Sequence, residues 1–318
     1  MRPFINCLKK YSFLLGLVLF VIILSKLNPT EIFKNIKEIN PWLLFLASLL
    51  LFPTLIVKAY CWNYIKRKQG INYSLKNSFL MYCNGLYIGL LTPGRIGEVV
   101  KALYLKKDGY SLGKSLTSIF LDRLSDLVFL SVFACLGSLF FLALLKKQFL
   151  ILILGLIILT GLLIIALKTK LARWFLNKIF IAFVPAKYQQ SFKINFQDFI
   201  NDLKIYNLRS YSVIMSITTL FWFIYFFQMY ILAQGVGIHI SPYYLSVAVT
   251  IVGLVTIIPV SISGIGTRDA ALVIFLSPFL ILKEQIIVFS ALILLMSLFT
   301  VLIGLICWFI KPLRWANA

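Results

Sequence analysis

Apolar positions in this chain do not alternate with polar ones. They come in runs near twenty residues long, separated by short polar stretches. A run of that length spans the hydrocarbon core of a bilayer as a helix. The pattern predicts spans over about 11–27, 41–61, 117–145, 149–167, 210–233 and 286–310. The period-two alternation of a membrane barrel is absent, and a helix satisfies its own backbone in lipid. Two further apolar stretches, 79–105 and 243–282, are interrupted by Gly, Pro and charge. Each predicts a re-entrant hairpin or a tight pair of spans. In the first, Val99 to Leu105 is too short to cross alone and Lys101 interrupts it, which favours re-entry.

Polar stretches orient these elements. Arg2, Lys9 and Lys10 precede the first run without an acid, and 26–40 carries three Lys against two Glu. The 58–78 stretch holds Lys58, Lys66, Arg67, Lys68 and Lys76 and no acid, and 101–114 is also basic. The 168–209 segment has eight basic residues and two acids, whereas 234–242 has no Lys, Arg, Asp or Glu. The positive-inside rule then places both termini, 58–78, 101–114 and 168–209 on the cytoplasmic side. Residues 26–40 and 234–242 lie outside, with Lys146-Lys147 as a mild violation. The N-terminal run resembles a signal sequence, but Ser25-Lys26-Leu27-Asn28 offers no small-residue cleavage site, so it is kept as a span. The order span, span, broken stretch, span occurs twice, starting inside and then outside. The expected architecture is an all-α, polytopic helical membrane protein. It is a single integral membrane domain, 1–318, of about six spans plus two broken hairpins in an inverted repeat of 1–145 and 146–318.

Composition agrees. The chain of 318 residues is 61% hydrophobic and 13% charged, about half the charge of a soluble domain. Its net charge of +21 would suggest nucleic acid in a soluble protein, but here the cations sit in short loops and anionic lipid headgroups are the expected partners. Within 168–209, Phe175, Ile179, Phe183, Phe192, Phe196 and Phe199 alternate with Lys and Asn. This reads as an amphipathic helix on the cytoplasmic surface or as an ordinary connector. Cys7, Cys61, Cys83, Cys135 and Cys307 form no CxxC pair and support neither a metal site nor a disulfide framework. His239, the only histidine, reads as structurally incidental.

Three constellations put charge inside apolar runs. The first is Thr92-Pro93-Gly94-Arg95-Ile96-Gly97-Glu98, followed by Lys101. Pro93 bars a regular helix, and Gly94 and Gly97 permit close backbone approach. The second is Pro259-Val260-Ser261-Ile262-Ser263-Gly264-Ile265-Gly266-Thr267-Arg268-Asp269, of like chemistry in the matching stretch. The third is Asp122-Arg123-Leu124-Ser125-Asp126. Its two aspartates share a helical face, and Arg123 reaches Asp126 at i+3. A charge at the midplane costs about 2.5–3.5 kcal/mol on insertion scales, so these groups are expected to pair or to line a polar cavity. One reading is mutual ion pairing that holds broken helices together. The other is a headgroup site, where an Arg fork and the free amides of a half-helix grip phosphate.

The segments TPGRIGEVVKA at 92–102, LDRLSD at 121–126 and PVSISGIGTRDAA at 259–271 resemble the transmembrane region of lysylphosphatidylglycerol synthase/flippase proteins. The resemblance covers essentially the whole chain. In the third segment Ser263 stands where the family more usually has Gly, and Asp269 where it has Glu. The resemblance implies the lipid-translocating part without the soluble aminoacyl-transferase domain. The site expected from residues and resemblance together comprises Thr92, Pro93, Gly94, Arg95, Gly97, Glu98, Lys101, Asp122, Arg123, Asp126, Ser261, Ser263, Gly264, Gly266, Arg268 and Asp269. In it Arg95 and Arg268 hold a lipid phosphate and the acids neutralise them or take a cation or proton. No cofactor or metal is expected, and no nucleotide-binding motif or Cys/His or Ser/His constellation is found. The rival readings are a membrane-embedded transferase of lipid-linked sugars or aminoacyl groups, and a non-catalytic partner of a separate transferase.

Overall fold

The computed structural model describes residues 28–140, 186–257, 261 and 263–313. The spans expected at 11–27 and 149–167, the Lys146-Lys147 turn and the first part of the 168–209 segment lie outside the described residues. Everything described is helix, turn or connector.

The helices begin where side-chain chemistry says they should. A short helix, α1 (Pro29–Lys37), starts on an Asn28 cap with proline in its first turn. Asn40 caps α2 (Pro41–Leu49) by accepting from the amides of Trp42 and Leu43. After a helical turn at Leu50, α3 (Leu51–Lys68) continues it, and Pro41–Lys68 forms one membrane-length rod of 28 residues. Ser74 caps α4 (Leu75–Leu90), a 3-10 segment runs from Pro93 to Val99, and α5 (Val100–Lys107) follows. Next come α6 (Leu112–Phe140) and, further on, α7 (Ala186–Leu203). Asn207 caps α8 (Leu208–Gly235). The chain continues with α9 (Pro242–Ile257), α10 (Thr267–Leu276), a 3-10 turn at Ser277–Phe279 and α11 (Lys283–Ile310).

Pro41–Lys68, Leu208–Gly235 and Lys283–Ile310 are long and apolar enough to cross a membrane. The chain is a multi-pass helical membrane protein. The first of these rods corrects the expected span at 41–61. The helix runs on to Lys68, so Lys58 and Lys66 are not loop cations but buried side chains within it. Lys66 donates to the Ser78 hydroxyl at 3.0 Å and lies 3.7 Å from the centre of the Trp62 ring. A cation on an aromatic face at this distance keeps much of its stabilisation without a carboxylate.

Both broken stretches are helical hairpins. In the first, α5 folds back along α4, whose Gly85 and Gly89 make room for the side chains of Lys101 and Glu98. A Cβ on either glycine would lie 2.5 Å from Lys101 Cγ or 2.6 Å from Glu98 Cγ. At eight residues α5 rises about 12 Å, less than half the hydrocarbon thickness. In the second, Tyr244 on α9 donates to the Phe275 carbonyl of α10 at 2.7 Å, and Thr256 packs against Gly264 at the bend.

The element series repeats. A rod of 28 residues, a helix of 16, a break, a helix of eight and a helix of 29 are followed by 28, 16, a break, ten and 28. Packing is reciprocal as well. The first hairpin leans through α4 on α11, and the second leans through α9 on α6. Between them α3 and α8 run side by side. A ring stack of Phe129, Phe133, Trp222 and Phe226 joins α6 to α8.

The described part of the polar segment, α7, is helical as its pattern suggests, and it docks on the start of α6. Asn195 accepts from the Gly113 amide at 3.0 Å, and Phe199 meets Phe120 edge-on. Gln69 donates to Asp202 at 2.8 Å, tying α7 to the end of α3. Burial pushes the Asp202 carboxyl above its usual range, against the pull of Lys114 and of this hydrogen bond.

The α4–α11 seam is backbone-close. A Cβ on Gly304 would lie 2.6 Å from the Cys83 carbonyl, whereas one on Gly253 would find its nearest neighbour at 3.9 Å. Gly304→Ala is therefore expected to cost about 1–3 kcal/mol by overpacking and to lower the unfolding midpoint in detergent. Gly253→Ala should not lower it, and circular-dichroism melts compare the two.

Candidate functional site

Six charged side chains meet between α3, the first hairpin and α6. Lys58 Nζ lies 3.3 Å from Asp122 Oδ1 and 2.5 Å from Asp126 Oδ1. Lys101 Nζ lies 3.0 Å from Glu98 Oε2 and 3.3 Å from Asp122 Oδ2. Arg123 reaches Asp122 at 2.9 Å, Glu98 at 3.4 Å and Asp126 at 3.5 Å. Tyr82 accepts from Arg123 at 3.1 Å, and the Trp222 indole donates to Asp126 at 3.1 Å. Three cations face three carboxylates, so the cluster is neutral. Charges taken out of water are tolerated where they pair and their remaining lone pairs find donors.

The helix positions follow from spacing. Asp122 and Asp126 stand one turn apart on α6 and present both carboxylates to Lys58. Glu98 and Lys101 stand three apart where the 3-10 segment passes into α5. Asp122 is fully buried, well inside α6. Two atoms stay without a hydrogen-bond partner, Glu98 Oε1 and Arg123 Nε.

Most residues of the first break serve the bend itself. Thr92 donates its hydroxyl to the Gly89 carbonyl at 2.9 Å and accepts the Gly97 amide at 2.8 Å, replacing bonds that the helix loses at Pro93 and Gly94. Gly97 has the Ile88 carbonyl 2.5 Å from where a Cβ would sit. Arg95 differs. It has a left-handed backbone, φ 56°, its amide donates to the Thr92 carbonyl, and its exposed side chain makes no hydrogen bond or ion pair among the described residues. A non-glycine residue in that region is held there by its surroundings at a cost of order 1–3 kcal/mol.

The second break is built differently. Gly264 and Gly266 take φ of 77° and 81°, and Ser263, at 51°, shares the left-handed region. Asp269 accepts the Gly266 amide at 2.7 Å and so caps α10 at its own N-terminus. Arg268 is buried, with Nε on Ser290 at 2.8 Å, Nη1 on the Ser263 carbonyl at 3.3 Å and Nη2 3.4 Å from Asp269. Ser290 donates to Asp269 as well. Ser261 and Thr267 share a hydroxyl contact at 2.7 Å. Pro259, Val260 and Ile262 lie outside the described residues.

The two tips meet. Ser263 donates to the Leu90 carbonyl at 2.8 Å, and the Tyr225 side chain on α8 lies within the fields of both Arg95 and Arg268. Of the sixteen expected site residues, Glu98, Lys101, Asp122, Arg123 and Asp126 form one ion-pair cluster, and Arg268 and Asp269 form a second. Thr92, Pro93, Gly94, Gly97, Ser261, Ser263, Gly264 and Gly266 shape the bends, and the Arg95 side chain is exposed.

Sequence reading missed Lys58, Tyr225, Ser290, Tyr82 and Trp222. Lys58 had a visible signal, since Ala59 to Tyr64 continues the apolar and aromatic run beyond it. Among the described residues, no group of three His, Cys, Asp or Glu side chains is placed to hold a metal ion.

Lys58→Met removes one partner of two buried carboxylates and is expected to destabilise by about 3–5 kcal/mol. Adding Asp126→Asn should recover part of that loss, a coupling that denaturant titration of the two singles and the double measures.

Residues 11–304 match the family described as the lysylphosphatidylglycerol synthase transmembrane region. A UPF0104 membrane protein of Methanocaldococcus jannaschii is 24% identical over 280 residues, covering 82% of each chain. One from Pyrococcus horikoshii is 28% identical over 202 residues, covering 58% of this chain and 59% of its own. One from Methanothermobacter thermautotrophicus is 22% identical over 283 residues, covering 83% of each. No solved structure matches. With nearly its whole length matched, the chain belongs to the lysylphosphatidylglycerol synthase transmembrane-region family.

Proposed function

We propose that this protein is a flippase-like transporter that moves a phospholipid or a polyprenyl-phosphate-linked lipid between leaflets, with the headgroup passing the meeting point of the two hairpin tips. The observation that carries this reading is Arg95. The neighbouring charges are neutralised in pairs, yet Arg95 is held in a strained backbone at a helix break without a partner. Intramembrane ionisable groups kept at such cost mark substrate pathways. A guanidinium suits phosphate because its planar fork donates two parallel hydrogen bonds.

The repeated helix lengths and the reciprocal packing of each hairpin on the closing helix of the other half support an inverted repeat with re-entrant hairpins. Such repeats place a site between two halves that rock against each other. With the loop charges, they favour cytoplasmic N- and C-termini and a cytoplasmic α7. The ion-pair cluster then acts as a rigid support that keeps the first hairpin seated on α3 and α6.

In liposomes carrying fluorescent phospholipid or polyprenyl-phosphate lipid, Arg95→Ala should slow translocation at least about tenfold, the loss of one charge-assisted pair. Arg95→Lys keeps the charge without the fork and should fall between. Because Arg95 is exposed, neither change should alter the melting midpoint. Equal rates for the wild type and Arg95→Ala with every lipid class would reject the transporter reading.

A further inference from the structure

Charge can be counted around the hairpin tips, element by element. The first tip brings Arg95 and Glu98, and α5 brings Lys101. Lys58 comes from α3, and Asp122, Arg123 and Asp126 from α6. The second tip brings Arg268 and Asp269. Uncharged but titratable, Tyr82 comes from α4 and Tyr225 from α8. No charged side chain comes from α9. Lys58, Lys101 and Arg123 are balanced by Glu98, Asp122 and Asp126, and Arg268 by Asp269. Among the described residues around the tips one positive charge remains, that of Arg95.

The balancing acids are not free to change partners at low cost. Asp269 uses one oxygen on the Gly266 amide and the other on Ser290 and Arg268, so freeing Arg268 would also uncap α10. Glu98 uses Oε2 on Lys101 and Arg123 and leaves Oε1 buried without a donor. A second negative charge arriving beside Arg95 would find no further unpaired cation around the tips among the described residues. At membrane depth an unbalanced charge is expensive.

We infer that the site is matched to a singly charged anion, a phosphodiester headgroup, and discriminates against a doubly charged phosphomonoester. The inference rests on the transporter reading of Arg95 and narrows its substrate class. A lipid whose phosphate joins two groups carries one negative charge at every pH from 5 to 9. A lipid that ends in a bare phosphate carries two once its second ionisation, at a pKa of about 6, is complete.

The test is binding to the purified full chain in detergent by calorimetry, at pH 5 and pH 8.5. The probes are dihexanoyl phosphatidylglycerol, dihexanoyl phosphatidic acid and inorganic phosphate. The diester should bind equally at both pH values. Phosphatidic acid should match it within about threefold at pH 5 and bind at least about tenfold more weakly at pH 8.5. Inorganic phosphate should weaken in the same direction and bind more weakly throughout, as it brings no acyl chains. Equal binding of phosphatidic acid and diester at pH 8.5, or inorganic phosphate as tight as the diester, would overturn the charge-matching rule while leaving the transporter reading intact. If no lipid probe binds, or if Arg95→Ala binds the diester as well as the wild type does, the transporter reading itself fails and this inference goes with it.

Discussion

Inside a bilayer no water is at hand to accept what a broken helix leaves open. Each unpaired amide or carbonyl costs several kcal/mol there, so a chain that breaks a helix at membrane depth must supply replacements from its own side chains. Both interruptions in this protein do so. Thr92 serves a carbonyl and an amide at the first bend, and Asp269 takes the first free amide of α10. Ser263 crosses to the other hairpin and satisfies the Leu90 carbonyl. At the far end of the first hairpin, Tyr104 and Asn84 both donate to the Lys311 carbonyl, where α11 ends. The polar residues that look like a binding motif in the sequence are thus first of all the repair kit of two broken helices.

That priority sharpens what is left for function. The charges at the first hairpin are organised as a lattice in which Lys58 spans two carboxylates, Asp122 is shared by three cations and Glu98 by two. Such a lattice fixes geometry, because moving one member breaks at least two ion pairs. Ion pairing as scaffold and headgroup binding are therefore not competing accounts of the same residues. On the proposed reading they divide the residues between them, with the paired set holding position and Arg95 left for the headgroup.

Much of the fold was legible because its signals are one-dimensional. Long apolar runs give the rods, and Pro93 with Gly94 and Gly97 marks a break wherever the partners lie. The i+3 and i+4 spacings of Glu98 with Lys101 and of Asp122 with Asp126 hold as read. What stayed hidden depends on tertiary neighbours. Lys58 follows an apolar run and precedes a basic stretch, so the positive-inside rule absorbed it as a loop cation. Only the arrival of α6 shows it buried. Arg268 and Asp269 read like a second copy of Arg95 and Glu98, but Gly266 as the residue before α10 turns the aspartate into a cap and pulls the arginine inward. Tyr225 carries no signal at all in a helix rich in Phe, Trp and Tyr. Its nearness to the fields of the two arginines exists only once the hairpins have met.

The bond from Ser263 to the Leu90 carbonyl is, among the described residues, the one side-chain hydrogen bond joining the two tips. A neutral hydrogen bond contributes about 0.5–1.5 kcal/mol net, no more than two or three times the thermal energy. The six-charge lattice, by contrast, sits in the first half, with the Trp222 indole and the Phe221 ring reaching it from the second. The clasp between the two tips is weak and the frame of the first half is stiff. Unfastening the tips would expose one carbonyl to whatever enters the gap, and a polar headgroup is equipped to bond it. The tips can part without surrendering an ion pair.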